Sequence, residues 1–403
     1  MEYRMSVLNE YISDCTEPVR DPLWKNVLFP RSFEPVLTHP AFIKLGRILQ
    51  LGPTQLVYPG ATHSRRAHSI GVYAMALRIL QALKGIENSM TPEGVRSFLV
   101  AALCHDVGHF PYTHSLKELP LVPHEVLAGR ILCTEMADAV CKAGACPEKV
   151  AAIIDESIVV EDAELLLYRK ILSGTLDPDK LDYLNRDAWA CGVPYGVQDV
   201  DFILQHITIE QGALAVDVRG VMSVEGLLFS KYEMYRAVYW HRMVRSATAM
   251  IKQGVFEALQ AGALEPEALY NLDDHEFFEL FFSLPQALAY YTQAVRNGAL
   301  FYMLDERSYA DRYKALLSME KRTSMQHELA KHLKLPVVLV DITEPITLES
   351  NLQIAGTGKT VTNVSTVFSS DIINAFEHDL RRIRIYSPEL CKTDVFALLD
   401  SLL

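Results

Sequence analysis

The sequence predicts a mainly α-helical protein with a small α+β appendage at its C-terminal end. Three observations predict this. Apolar residues recur at helical spacing, as at Val72, Ala76, Ile79, Leu80 and Leu83. The run from Val95 to Leu103 is apolar apart from Arg96 and Ser97, as a buried helix would be. From Leu335 the composition shifts to short β-prone runs, Val337-Val338-Leu339-Val340-Asp341 and Arg382-Ile383-Arg384-Ile385-Tyr386.

The bulk properties narrow the function classes. The chain has 403 residues, half of them hydrophobic, which is enough for a large core. Its formal net charge of −12 argues against a general nucleic-acid binder, which would show a basic face. An anionic substrate would then need a metal and local Arg or Lys to reverse the field in its pocket. The seven cysteines are odd in number and form no C-x-x-C pair. They are expected as reduced thiols of a cytoplasmic protein. The start, Met-Glu-Tyr-Arg-Met, lacks the apolar stretch of a signal peptide. No run reaches the roughly 20 apolar residues of a membrane span, so no membrane partner is expected.

Each element follows from local signals. Prolines punctuate residues 1 to 60, predicting short strands or turns and then a helix from about Pro40 to Gln50, entered through His39. A loop ending at His68 leads to a helix over Ser69 to Leu83. Gly108 and Pro111 end the Val95 helix. Pro123-His124-Glu125 opens a helix to about Cys141. Further helices are expected over Pro147 to Asp155, Glu161 to Ser173 and from Pro178, the last capped by Asp177 or Asp179. Residues 199 to 225 alternate around Gln211-Gly212, predicting a β-hairpin. A long helix from about Val224 to Leu259 places Tyr235 and Tyr239 on one face with Lys231 and Arg242. Residues 266 to 332 are expected to be helical. Ala355-Gly-Thr-Gly-Lys359-Thr360 suggests a phosphate loop, but Gln353 stands where that pattern needs glycine, so a hairpin turn is expected.

The chemistry concentrates in Leu103-Cys-His105-Asp106-Val-Gly108-His109-Phe-Pro111-Tyr-Thr-His114, which holds three histidines and an aspartate within ten residues. A His-Asp doublet at the end of a buried helix can point two metal-ligating groups into one cavity. Two neighbours cannot close a coordination shell. His68 and Asp179 complete a mixed N/O set with His105 and Asp106 that suits Mn, Fe, Zn or Co better than Mg alone. Alone, His68 would read as a structural histidine and Arg65 as a solvated arginine. The segment Asp177 to Asp187 carries four carboxylates, a lysine and an arginine, more than capping accounts for. A metal in such a set would lower the pKa of water and polarise phosphorus. His109, His114 and His124 are candidate general acids or phosphate donors. Arg65, Lys180 and Lys231 could neutralise phosphates.

These residues carry a resemblance. His68, the doublet His105-Asp106 and Asp179 match the signature of the HD-domain metal-dependent phosphohydrolases. The chain is most similar to the deoxynucleoside triphosphate triphosphohydrolase branch, which includes the vertebrate sterile-alpha-motif and HD-domain enzyme and bacterial dGTPase relatives. The supporting words are Tyr58-Pro-Gly-Ala-Thr-His63, Arg65-Arg-Ala-His68-Ser-Ile-Gly-Val72, the central stretch to His114, His124-Glu125, and Asp177-Pro-Asp179-Lys180-Leu-Asp182-Tyr183-Leu-Asn-Arg186-Asp187. They keep the family's order over residues 58 to 187, and weaker similarity runs from about residue 21 to Arg384-Ile-Tyr-Ser-Pro388.

The resemblance implies a helical HD core over residues 40–260, after an N-terminal segment over 1–39. A helical extension over 261–334 and the α+β appendage over 335–403 would follow. It implies one divalent metal on His68, His105, Asp106 and Asp179, with additional Mg carried by the substrate phosphates. His109, His114 and His124 would surround the α-phosphate, and Arg65, Lys180 and Lys231 would contact phosphates. Gln50 would read the sugar 3′-hydroxyl together with Asp187, while Tyr183 and Tyr239 would crowd a 2′-hydroxyl. The expected reaction converts a dNTP to deoxynucleoside and triphosphate, in a homodimer or homotetramer. The alternatives are another HD chemistry, such as a 5′-nucleotidase or second-messenger hydrolase, and a non-catalytic nucleotide sensor. Two departures stand out. Lys117 and Glu118 occupy the place of a family acid, leaving open which group orients His124. Thr38, Ile43 and Gly46 replace the vertebrate guanine-sensing residues, and Asp21-Pro-Leu-Trp24-Lys25 is reduced from a longer family word. Guanine-nucleotide activation through that site is therefore not expected.

Overall fold

The computed structural model describes residues 15–83 and 90–403. The expectations that fall on the first 14 residues lie outside the described residues. The protein is mainly α-helical, and the described strands form three small sheets.

The proline-rich start makes a hairpin, β1 (Val19–Asp21) against β2 (Lys25–Val27). Helix α1 (Pro40–Lys44) has His39 as its N-cap, with Ala41 N–H donating to the His39 ring at 3.3 Å. It stops at Lys44 instead of Gln50, because residues 45–47 tighten into a 3-10 turn and Ile48 turns extended.

Seven helices then follow: α2 (Arg65–Ala82), α3 (Pro92–Cys104), α4 (His124–Cys133), α5 (Ala137–Lys142), α6 (Pro147–Ile154), α7 (Ala163–Leu172) and α8 (Pro178–Cys191). Helix α2 starts four residues before the expected Ser69, because Ser64 accepts from Ala67 N–H at the N-cap. Its first turn thereby contains both Arg65 and His68. The helix expected to run to Cys141 is broken between α4 and α5, where Thr134 leaves helical geometry (φ −121°, ψ −86°). Of the two candidate caps for α8, Asp177 is the one used, accepting from Lys180 N–H at 2.6 Å.

A short helix α9 (Val200–His206), not expected from the alternation, precedes the predicted hairpin of β3 (Ile207–Glu210) and β4 (Ala213–Val216). Gln211 and Gly212 both take positive φ, as a tight two-residue turn demands. The single long helix expected over Val224 to Leu259 is three pieces. Helix α10 (Val221–Met234) runs into a π-helical turn over Tyr235–Tyr239, and the chain bends at Trp240 and His241 before α11 (Arg242–Gln260). No Gly or Pro marks this break.

Helices α12 (Asp274–Phe282) and α13 (Gln286–Arg296) follow, then strand β5 (Tyr302–Ser308) in a stretch expected to be helical, then α14 (Met319–Leu333). The C-terminal part contains β6 (Leu339–Ile342), β7 (Gln353–Ile354), β8 (Lys359–Thr360), α15 (Ser370–Leu380), β9 (Arg382–Ser387) and α16 (Val395–Leu402). One sheet has the order β3-β4-β7-β8, with β4 and β7 parallel, and the other β5-β9-β6 is antiparallel. Strand β5 pairs Tyr302 with Ser387, a partner too distant for local pattern to show. Gly356 to Gly358 is a hairpin turn between β7 and β8, as the sequence predicts.

Two apolar cores meet at the central stretch. Cys104 and Val107 belong to the one built on α2 and α3, whereas Phe110 and Leu116 belong to the one built on α11 to α13. The loop carrying His105 to His114 is thus clamped from both sides. No described helix is long and apolar enough to cross a membrane.

Candidate metal centre and anion pocket

Helix spacing assembles the site. On α8, Asp179, Asp182, Tyr183, Arg186 and Asp187 are three or four residues apart and share one face. That face packs on α2 very closely. A Cβ at Gly71 would lie 1.8 Å from Asp182 Oδ1 and 2.4 Å from Arg186 Nη2, so only glycine allows the approach. His68 then reaches α8 with both ring nitrogens. Its Nδ1 lies 2.9 Å from Asp182 Oδ2, and its Nε2 lies 2.9 Å from Asp179 Oδ1. Burial alone would lower the His68 pKa, but hydrogen bonds donated to the Asp179 and Asp182 carboxylates outweigh it and push it up to about 10.

From the other side comes the end of α3. His105 Nδ1 lies 3.0 Å from Ala102 O, which leaves Nε2 toward Asp106 Oδ1 (3.3 Å) and Asp179 Oδ1 (3.9 Å). Asp106 is buried and accepts from Arg65 Nη1 at 2.8 Å. Burial raises its pKa, but His109, His105 and Arg65 together hold it well below the usual carboxylate range. His68, His105 and Asp106 offer ligand atoms within 4.8 Å of one another, and Asp106 forms a second such set with His109 and His124. His105 Nε2 is buried without a hydrogen-bond partner. An orphaned imidazole nitrogen facing carboxylates is costly unless something else engages it. These residues therefore fit a divalent transition metal.

His109, His114 and His124 form a second layer. The His109 ring centre lies 3.8 Å from that of His124 and 4.8 Å from that of His114. Both His109 nitrogens are buried and without a hydrogen-bond partner, while Nε2 lies 3.1 Å from Asp106 Oδ1. Burial, with Arg65 and His124 nearby, lowers the His109 pKa strongly. Burial and His114 lower that of His124 to about 2. The group left open by the sequence is Glu125, whose Oε2 lies 3.1 Å from His124 Nδ1. Glu118 instead faces away, paired with Lys252 and Arg322. Tyr112 takes left-handed geometry (φ 62°), which turns the chain so that His114 folds back toward His109.

Gly108 sets this layer against α4. A Cβ there would meet His124 O at 2.1 Å and Ala128 N at 2.5 Å, both backbone atoms that cannot rotate away. Gly108→Ala is expected to lose about 1–3 kcal/mol of stability and to weaken activity in the protein that still folds. Thermal unfolding and turnover per folded molecule check both.

A pocket of about 540 Å³ opens over the metal set. Its wall includes Arg65, His114, His124, Gln50, Lys180, Tyr183, Asp187 and Tyr239 with the four ligand candidates. Of the residues singled out by sequence, His109 lies behind this wall and Lys231 outside it. Asp187 is held by Tyr239, whose hydroxyl donates to Oδ2 at 2.6 Å, and by His63, whose Nε2 lies 2.8 Å from Oδ1. Gln50 Oε1 is buried and unpartnered. Tyr183 and Tyr239 meet edge-to-face, their ring centres 6.4 Å apart.

Several contributors escaped sequence reading. Trp24 Nε1 donates to Asp182 Oδ1 at 2.5 Å, and Arg186 bridges Asp182 and Asp21. Asp21 and Trp24 sit in the shortened family word, where only its departure was visible. Glu344 and Glu349 also line the pocket, and no local motif marks either; Tyr235, on the helix face expected to carry Tyr239, lines it too.

Comparisons with known proteins follow the same lines. A family model described as HD domain matches residues 65–184, and one described as HD associated region matches residues 198–403. An uncharacterized protein of Methanocaldococcus jannaschii is 32% identical over 260 residues, covering 64% of this chain and 53% of that protein. The deoxynucleoside triphosphate triphosphohydrolase SAMHD1 of Bos taurus is 24% identical over 339 residues, covering 70% and 56%. The chain spans about half the length of the curated relatives it matches. A hypothetical protein from Aquifex aeolicus, of known crystal structure, shares the fold. Its TM-score is 0.75 at 24% identity, over 96% of this chain and 99% of that one.

Proposed function

The chain belongs to the HD-domain phosphohydrolases, and from that premise we propose that its pocket hydrolyses deoxynucleoside triphosphates to deoxynucleoside and triphosphate. The observation that carries the reading is Asp187. Its carboxylate is fixed between His63 and Tyr239, and it shares a pocket with the unpartnered Gln50 and the metal-ligating set. Two polar groups on a wall crowded by Tyr183 and Tyr239 suit a sugar with a 3′-hydroxyl and no 2′-hydroxyl. A sugar lacking the 3′-oxygen would leave buried polar groups unpaired.

When bound at His68, His105, Asp106 and Asp179, a divalent metal supplies Lewis-acid polarisation and acidifies water. The remaining work falls to the chain. Arg65 is fixed by Asp106 through Nη1 and keeps a buried, unpartnered Nε for a phosphate oxygen. His114 and His124 flank the α-phosphate. With its pKa near 2, His124 is neutral and adds no charge beside the phosphate. As water oxygen bonds to the α-phosphorus, the bond to the 5′-oxygen breaks. The proton that the attacking water loses is relayed through this neutral histidine layer to that oxygen, which leaves as the deoxynucleoside.

The test is incubation of the purified protein with each dNTP, each NTP and a dNMP, in Mn²⁺ or after chelation, with products resolved by ion-exchange chromatography. Triphosphate and deoxynucleoside should appear from dNTPs only in the presence of metal. NTPs should turn over more slowly, by about 10²-fold if the tyrosine wall costs the 2′-hydroxyl roughly 3 kcal/mol. Orthophosphate released from the dNMP would instead make it a nucleotidase. Absence of turnover would leave a nucleotide sensor.

A further inference from the structure

Both lysines that the sequence assigns to substrate phosphates are already engaged, and by one segment. An ammonium has three donors. Lys180 Nζ donates to Asp177 Oδ2 (2.6 Å) and Gly174 O (2.9 Å) and ion-pairs with Glu349 Oε2 (2.7 Å), so three partners surround it. Lys231 does not line the pocket, and its Nζ donates to Thr347 O at 2.8 Å. Thr347 and Glu349 lie two residues apart in the strap 343–352, which joins β6 to β7 without helix or strand.

Lys180 can free a donor only by losing one partner. Asp177 is buried and caps α8, and Gly174 offers a backbone carbonyl. Glu349 differs, because its side chain is 42% exposed and rides on the strap. Glu344, on the same strap, also lines the pocket, and its Oε1 is buried without a hydrogen-bond partner. The strap therefore presents two carboxylates to the wall where an anion would lie. An incoming phosphate faces repulsion from both until they move. The strap has an anchor beyond the pocket, since Leu348 N–H donates to Glu377 Oε1 on α15 at 2.6 Å.

We propose that strap 343–352 is an internal stand-in for polyphosphate, with Glu349 holding Lys180 and Thr347 O holding Lys231 until the substrate's phosphates replace them. The proposal rests on the reading that this pocket takes a triphosphate-bearing nucleotide. Exchange breaks the Glu349–Lys180 pair and the Thr347–Lys231 hydrogen bond, and forms phosphate contacts to both ammonium groups. Glu349 thereby sets affinity for the substrate's phosphate tail without touching the reacting phosphorus.

Inorganic tripolyphosphate is the probe, because its binding needs no turnover. Isothermal titration of the full chain should show Glu349→Gln binding it about five- to tenfold more tightly than the parent. In the parent, hydrogen–deuterium exchange of amides over 343–352 should rise when tripolyphosphate is added. Unchanged affinity in Glu349→Gln together with unchanged strap exchange would overturn the proposal, as would failure of both proteins to bind the probe. The two readings separate cleanly. Tighter tripolyphosphate binding without dNTP turnover would remove the triphosphohydrolase reading and keep the strap. Turnover of dNTPs with an unaltered KM and unaltered probe affinity in Glu349→Gln would do the reverse.

Discussion

Alanine at Asp182 is expected to lower the unfolding temperature by several degrees and to weaken metal binding about 10- to 100-fold. Asp182 is fully buried, and its two oxygens face His68 Nδ1, Trp24 Nε1 and two nitrogens of Arg186. Truncation leaves the Arg186 guanidinium, 1% exposed, with Asp21 as its remaining carboxylate. Breaking one partner out of a buried ionic network typically costs about 3–5 kcal/mol. The same change frees the His68 ring to rotate, because the hydrogen bond that orients its Nε2 toward Asp179 is gone. Asp182→Asn should fall between parent and alanine, since its amide oxygen can still accept from Arg186. Calorimetric melting of the metal-free protein and Mn²⁺ titration measure the two effects separately. An alanine variant with parental melting temperature and metal affinity would show that the network carries neither.

That His68, His105, Asp106 and Asp179 would converge was legible in the sequence because each sits at the end or start of a recognisable helix. His68 lies at the loop-to-helix junction, His105-Asp106 ends an apolar helix, and Asp179 follows an Asp-Pro start. The pocket's supports were not legible, for the opposite reason. Trp24 reaches Asp182 across 158 positions, and β5 finds β9 across about 80. Such partners are chosen by the packed fold, and neither a short strand nor a lone tryptophan announces them. The break between α10 and α11 falls in an unbroken helical pattern without Gly or Pro, so periodicity ran straight through it. Lys180 and Lys231 illustrate a further limit. Residue type identifies cations suited to phosphate, but only the tertiary structure shows that Glu349 and Thr347 hold them.

Replacing Asp106 is expected to abolish turnover, by about 10³-fold or more, equivalent to at least roughly 4 kcal/mol of transition-state stabilisation. Asp106 Oδ1 faces His105 and His109, and Oδ2 takes the Arg65 hydrogen bond, so one side chain serves the metal set, the histidine layer and the phosphate arginine. Alanine would do more than remove a ligand. It would leave Arg65, 4% exposed, without its carboxylate, and a buried unpaired guanidinium destabilises by about 3–5 kcal/mol. Loss of activity in Asp106→Ala therefore mixes chemistry with folding. Asparagine separates them, because its amide oxygen still accepts from Arg65 while the negative charge is gone. Asp106→Asn should melt close to the parent, bind Mn²⁺ far more weakly and release no measurable triphosphate from dNTPs. Melting by circular dichroism, metal content after dialysis and product chromatography give the three readings. If the asparagine variant kept parental metal content and turnover, Asp106 would be a structural partner of Arg65, and the metal would have to sit on other residues.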